Sequence, residues 1–236
     1  MKITERQAEI LNSVVETYIK SAEPVSSKFL EEKYKFGICP ATIRIEMQKL
    51  TEEGFIFQPH TSAGRLPTDK GYRFFVDDLL KRELLEENLD FEVEDWIEKE
   101  VTDSIKILQS ITKNLASTSS NLALGYLPDL KIFWKEGWEE IIKEPEFEEK
   151  KVIDDFTEMI KGFEEEIEDL KISFDIKVYI GKESPFRKAK EFSTIVTKCH
   201  FSEKENGILA ILGPKRMDYN RNIGSLNSLI RLLEKI

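Results

Sequence analysis

The chain has 236 residues, 40% of them hydrophobic, and a formal net charge of -10, a length and apolar fraction that suit a globular protein of two domains better than one. No apolar run approaches the roughly 18 residues of a membrane span, and Met1-Lys2-Ile3-Thr4 leads into an amphipathic helix instead of a signal peptide, so no membrane partner and a cytoplasmic location are expected. Cys39 and Cys199 lie far apart without CxxC spacing, a pattern that offers neither a disulfide framework nor a structural zinc site.

Thr4 and Gln7 have the spacing of a capping box, and Ile10, Leu11, Val14, Val15, Tyr18 and Ile19 recur at helical intervals, which predicts a first helix ending before Pro24. Ser26 is placed to cap a short second helix, with Phe29, Leu30 and Tyr34 facing inward and Gly37 as its stop. Pro40 suits the first position of a third helix running to Lys49 or Glu53, closed by Gly54 before the strand-like Phe55-Ile56-Phe57.

On that third helix Ile43, Met47 and Leu50 form the buried stripe and turn Ala41, Arg44, Ile45 and Gln48 outward, with Thr42 at its start. An arginine can donate two bonds to guanine, a glutamine can pair with adenine, and an exposed isoleucine can pack on a thymine methyl. The bland alternative is that Arg44 and Gln48 are ordinary solvated helix residues. Ile45 weighs against it, because an apolar side chain on the outer face of a short helix lacks a structural reason unless something docks there.

From Phe57 to Pro67 a hairpin-like excursion carries Arg65 beside Thr61, Ser62, Ala63 and Gly64, small residues that let backbone approach a phosphate closely. Arg65 is a candidate for phosphate or a narrow minor groove, and Thr61 and Ser62 for hydroxyl or backbone bonds. His60 joins that candidate surface or serves as a structural hydrogen-bonder. Thr68 is placed to cap the next helix, whose Tyr72, Phe75, Val76 and Leu79 are expected to pack the head onto the rest of the chain. Helix, turn, helix and wing make residues 1–75 a candidate winged-helix domain for double-stranded DNA. The acidic balance does not oppose this: residues 1–75 carry eleven Lys/Arg against ten Asp/Glu, and the excess of acid lies in the remaining residues.

From Leu84 to Leu122 the sequence reads as a long helix, with Ile97, Val101, Leu108, Ile111, Leu115 and Leu122 on a four-three alternation. A coiled coil and a helix packed on its own carboxy-terminal domain both fit, and Trp96 and Ile105 widen the stripe toward the second. Strands are expected at Lys131–Trp134, Phe174–Ile180, Ser193–His200 and Ile208–Leu212. A helical turn is expected at Gly137–Ile142, one or two helices at Glu146–Leu170 interrupted near Gly162, and a final helix at Asp218–Leu233.

Several runs resemble the HrcA-type heat-inducible transcription repressors: Pro40-Ala41-Thr42-Ile43-Arg44 with Glu46-Met47, Gln58 through Arg65, Pro67-Thr68, and Lys70-Gly71-Tyr72-Arg73 with Val76-Asp77. Glu144-Pro145-Glu146-Phe147 and Gly213-Pro214-Lys215-Arg216-Met217-Asp218-Tyr219 are similar to that family's later landmarks. The resemblance implies control of chaperone genes in the heat-shock response, a GroEL-type chaperonin as partner, and a reduced GAF-like carboxy-terminal domain. Two departures stand out. The family usually has Asn at the position of Ile45 and a hydroxyl residue at that of Cys39, which bears on operator preference and on the cap of the third helix. Between Leu122 and Lys131 the chain lacks the opening strands of the GAF-like domain and the dimerising domain inserted there.

Catalysis finds no foothold in the sequence. His60 and His200 are the only histidines, and Cys199 and His200 are neighbours on an expected strand, where adjacent side chains point to opposite faces. No P-loop, GxSxG or metal-ligand cluster is present, so neither an enzyme nor a cofactor is expected. The expected architecture is α+β: a winged-helix domain at 1–75, a connecting long helix at 76–122 and a reduced GAF-like α+β domain at 123–236. The expected function is a DNA-binding repressor acting as a homodimer on an inverted-repeat operator. A ligand-responsive winged-helix regulator that senses a metabolite through its carboxy-terminal domain is the alternative.

Overall fold

The computed structural model describes residues 3–83, 104–201 and 205–234, and the chain divides into two units, Met1–Arg82 and Glu83–Ile236. The first unit begins with helix α1 (Glu5–Ser21). Its capping box is formed from both sides: the Gln7 amide donates to Thr4 Oγ1 at 3.2 Å and the Thr4 amide to Gln7 Oε1 at 2.9 Å. Ile10, Leu11, Val14, Val15 and Ile19 are buried, as the helical spacing requires.

Helix α2 (Ser27–Lys33) is capped by Ser26, but it buries less than expected. Leu30 is fully buried, whereas Phe29 is 43% exposed under the Lys33 ammonium. Tyr34 leaves the helix in extended conformation, and Gly37, with φ of 68°, serves the turn before the next helix instead of stopping this one. Helix α3 (Pro40–Glu52) starts on Pro40 and buries Ile43, Met47 and Leu50. Gly54, at φ of 76°, then takes the left-handed turn that only glycine adopts cheaply. It feeds strand β1 (Ile56–Phe57), which pairs antiparallel with β2 (Leu66–Pro67).

Helix α4 (Asp69–Glu83) is capped by Thr68, whose hydroxyl accepts from the Gly71 amide at 3.2 Å. This helix corrects the expected boundary at residue 75. Tyr72, Phe75, Val76 and Leu79 are buried within the first unit, Asn12 on α1 donates to Asp78 at 3.3 Å, and a side chain at Gly71 would meet the Phe55 carbonyl at 2.2 Å. They complete the core of the first unit.

In the second unit, residues 84–103 of the expected long helix, with Trp96, Ile97 and Val101, lie outside the described residues. Helix α5 (Ser104–Ser119) buries Leu108, Ile111 and Leu115 completely. Its end falls short of Leu122. The Asn121 side chain donates to the Ser119 carbonyl at 2.7 Å, and the Asn121 amide to Ser119 Oγ at 3.2 Å, so short polar side chains take over the backbone groups that another helical turn would need. Leu122 instead opens strand β3 (Leu122–Leu127), an element absent from the sequence reading. A continuous apolar run of this length does not distinguish a buried strand from a buried helix end.

The remaining elements are β4 (Ile132–Glu136), α6 (Trp138–Ile141), α7 (Lys150–Glu166), β5 (Lys177–Ile180), β6 (Phe192–His200), β7 (Asn206–Pro214) and α8 (Tyr219–Leu233). Helix α7 passes through Gly162 without a break, and β5 begins three residues after Phe174, which is 48% exposed and stacked on His200. The strands form one antiparallel sheet in the order β4-β3-β7-β6-β5. A core of Phe147, Phe156, Met159, Phe163, Phe186 and Phe192 gathers on one face of it. On the opposite face α5 packs so closely that a side chain at Gly125 would meet Leu108 Cδ1 at 2.5 Å, and α8 brings the Tyr219 hydroxyl to within 2.7 Å of Ser193 Oγ. Mixed helix and sheet in this arrangement is an α+β protein.

The two late sequence landmarks meet through one side chain. Arg216 donates from Nε to Glu146 Oε1 at 2.6 Å and from Nη2 to Glu146 Oε2 at 3.0 Å, and Nη2 also reaches Glu144. This bidentate pair clamps the turn after β7 onto the segment before α7.

Candidate nucleic-acid interface

The outer face of α3 is built by exclusion. With Ile43, Met47 and Leu50 buried, Ala41, Arg44, Ile45 and Gln48 face outward, and Ile45 is 57% exposed. Glu46 turns toward α1, where it accepts from Gln7 at 2.9 Å and pairs with Lys49 at 3.0 Å. The Lys49 bond holds its carboxyl below the ordinary range, so this acid is compensated before any partner arrives. Thr42 is half-buried, its hydroxyl 3.4 Å from Cys39 Sγ. That contact lowers the Cys39 thiol from its usual value, and the N-cap residue itself makes no side-chain cap bond.

The loop between β1 and β2 is braced internally. Gln58 donates to the carbonyls of Thr61 at 2.9 Å and Ala63 at 2.8 Å, and the Ala63 amide closes a turn onto the His60 carbonyl at 2.9 Å. His60 Nδ1 lies 3.1 Å from Ser62 Oγ, so His60, Thr61 and Ser62 form an exposed tip with its own bonding. Gly64 has a steric role: a side chain there would lie 2.5 Å from the Val25 backbone. The close approach is needed because Arg65 and Val25 exchange two backbone hydrogen bonds, at 2.8 and 3.0 Å.

Arg65 does not extend from the tip. Its side chain crosses to α3, where Nε donates to Thr51 Oγ1 at 3.1 Å and Nη2 to Gln48 Oε1 at 3.3 Å. Burial, and after it the positive charge of Arg44, hold the guanidinium below its ordinary value. Arg44, Gln48 and Arg65 are thereby brought to one place, while His60, Thr61 and Ser62 stand as a separate group. Gln58, Thr51 and the Val25 backbone, which hold the arrangement, were missing from the sequence-derived set. Gln58 opens the quoted motif and carried a signal. Thr51 and Val25 carried none, since their partners are distant in sequence. The cysteine-histidine pair is split as strand alternation demands: Cys199 is buried, with burial pushing its thiol up to about 12, and His200 is exposed.

Among the described residues no helix is long and apolar enough to cross a membrane. A solved structure of a hypothetical protein superposes with a TM-score of 0.87, covering 99% of this chain and 98% of that one at 22% identity, which establishes a shared fold. The "Heat-inducible transcription repressor HrcA" of Thermodesulfovibrio yellowstonii is 28% identical over 346 aligned positions, covering 99% of this chain and 97% of that protein. This chain has only 236 residues, so the relative carries sequence without a counterpart here. The protein of the same name from Desulforamulus reducens is 41% identical over 131 residues, but this chain covers only 38% of that relative's length. The model of the HrcA protein C-terminal domain matches residues 72–223, well over half of the sequence, and the chain belongs to the HrcA family.

Proposed function

We propose that the protein is a transcriptional repressor of heat-shock genes that binds double-stranded DNA through the outer face of α3 and the β1–β2 loop, a winged-helix head. The observation that carries this reading is Ile45, 57% exposed between Arg44 and Gln48 on a helix whose opposite side is fully buried. An apolar side chain flanked by two long hydrogen-bonding ones is suited to a major groove, where methyl groups and acceptor edges alternate. The exposed tip of His60, Thr61 and Ser62 is suited to the adjacent backbone. Names of the full-length relatives support the heat-shock assignment.

The same reading extends to the partners. A homodimer on an inverted repeat follows from the symmetry of such operators, the second unit is read as a reduced GAF-like domain, and a GroEL-type chaperonin is the expected regulator in the cytoplasm. Selection of bound duplexes from a random pool tests the core of the proposal. An inverted repeat is expected, with affinity falling steeply as salt rises because phosphate contacts release counterions. Failure to retain any duplex at low ionic strength would remove the DNA-binding assignment.

A further inference from the structure

Resting on the DNA-binding reading, we infer that Arg65 is a positioning residue: it fixes the amide of Gln48 so that α3 offers a hydrogen-bond donor to the bases, and it thereby sets sequence preference instead of adding phosphate affinity. The argument starts from donor and acceptor chemistry. A guanidinium has five donors and no acceptor, and a carboxylate accepts only. Gln48 lies between one of each, with Oε1 3.3 Å from Arg65 Nη2 and Nε2 3.2 Å from Glu52 Oε1. Those neighbours admit one orientation of the amide, carbonyl toward the arginine and nitrogen toward the acid.

Arg65 is itself held. Thr51 Oγ1 accepts from its Nε while donating to the Met47 carbonyl at 2.8 Å, and both backbone groups of Arg65 are bonded to Val25. The guanidinium is therefore tied to α3 and the Arg65 backbone to the turn before α2, away from the tip formed by His60, Thr61 and Ser62. With its carbonyl occupied, Gln48 presents its second Nε2 proton outward. That proton suits an acceptor edge, such as guanine N7 and O6 or thymine O4, and disfavours the amino edge of cytosine. A two-bond pairing with adenine would have to place its second bond on the remaining lone pair of the same carbonyl oxygen, beside the arginine.

The test uses the full chain and the best site from wild-type selection, with every single-base change of that site. Wild-type binding is measured first; its absence would sink the DNA reading and this inference with it. Given binding, Arg65→Ala is expected to lower discrimination at the Gln48 position by about tenfold, the range of one specific base contact, and to leave the dependence of affinity on salt unchanged. Thr51→Val, which keeps the charge but removes the acceptor for Nε, is expected to shift preference at the same position in the same direction, and it serves if Arg65→Ala does not fold. A salt slope reduced by about one in Arg65→Ala, the signature of one lost phosphate contact, would make Arg65 a backbone contact and overturn the proposal. Unchanged preference in both variants would overturn it equally.

Discussion

The loop that carries Arg65 is anchored by polar bonds that can be named one by one, whereas β3 is held by burial along its whole length and no single contact defines it. In the head, Thr51 and Gln48 each supply one directional bond, and Gln58 and the Val25 backbone two each, to a short excursion with a two-residue pairing at its base. In the body, all six residues of β3 are buried between α5 on one face and the aromatic cluster on the other. Directional bonds fix where a side chain points, which a recognition surface needs. Burial fixes only that the sheet stays assembled, and it does so with far more energy.

The most forceful way to break that contrast is Phe156→Ala. Phe156 is fully buried and packs its ring against those of Phe147, Phe192 and Trp138, at centroid distances of 5.0, 4.9 and 6.1 Å. Truncation is expected to cost about 3–5 kcal/mol, as for other buried aromatics that leave a cavity. Trp96, Trp134 and Trp138 all belong to the second unit, so denaturation followed by tryptophan fluorescence reports it directly. A loss below about 1 kcal/mol, the size of a surface change, would mean that this cluster is not what holds the sheet together.

Gly64→Ala probes the head with a smaller energy and a larger functional effect. The added methyl would lie 2.5 Å from the Val25 carbonyl carbon and oxygen and 2.6 Å from that of Pro24, all backbone atoms that cannot rotate aside. The strain is expected to cost about 1–3 kcal/mol, the range for overpacking, and to part Arg65 from Val25. DNA affinity is then expected to fall at least tenfold, with the tryptophan-reported transition of the body unmoved. Retained affinity would show that the Val25–Arg65 pairing is dispensable for the interface.

The same contrast explains what could be read from the sequence. Caps and turns are local, so Thr4 with Gln7, Ser26, Pro40, Gly54 and Thr68 marked the head's elements within a residue or two, and the stripe of Ile43, Met47 and Leu50 defined the outer face of α3. The body's last two strands and final helix were equally legible from their runs of apolar residues. β3 was not, because Leu122 continues the spacing of Leu108, Ile111 and Leu115 by coincidence, and the Ser119–Asn121 turn that ends the helix depends on side-chain bonds that no periodicity records. Phe29 misled for a related reason: it has helical spacing, but α2 is too short to bury more than one stripe. On α3 the helical period put Arg44, Ile45 and Gln48 on the outer face, where they are exposed, whereas the partners of Arg65 come from residues 14 and 17 positions away, beyond the reach of local pattern.

Cys39 offers the smallest and most pointed adjustment. Its backbone, at φ of -74° and ψ of 160°, already has N-cap conformation, and Pro40 follows at the first helical position, yet its side chain caps nothing. A thiol is a poor acceptor for the unpaired amides at a helix start, and a serine hydroxyl is a good one. Cys39→Ser is therefore expected to stabilise the head by about 0.5–1 kcal/mol, the lower part of the capping range, seen as a rise in its thermal midpoint by circular dichroism. Because the cap points along the backbone of α3 and not toward its outer face, base preference should stay as in the wild type. A midpoint that does not rise would mean that the Thr42 hydroxyl, 3.4 Å from Cys39 Sγ, holds the new serine away from those amides, and Cys39→Ser combined with Thr42→Val would then recover the gain.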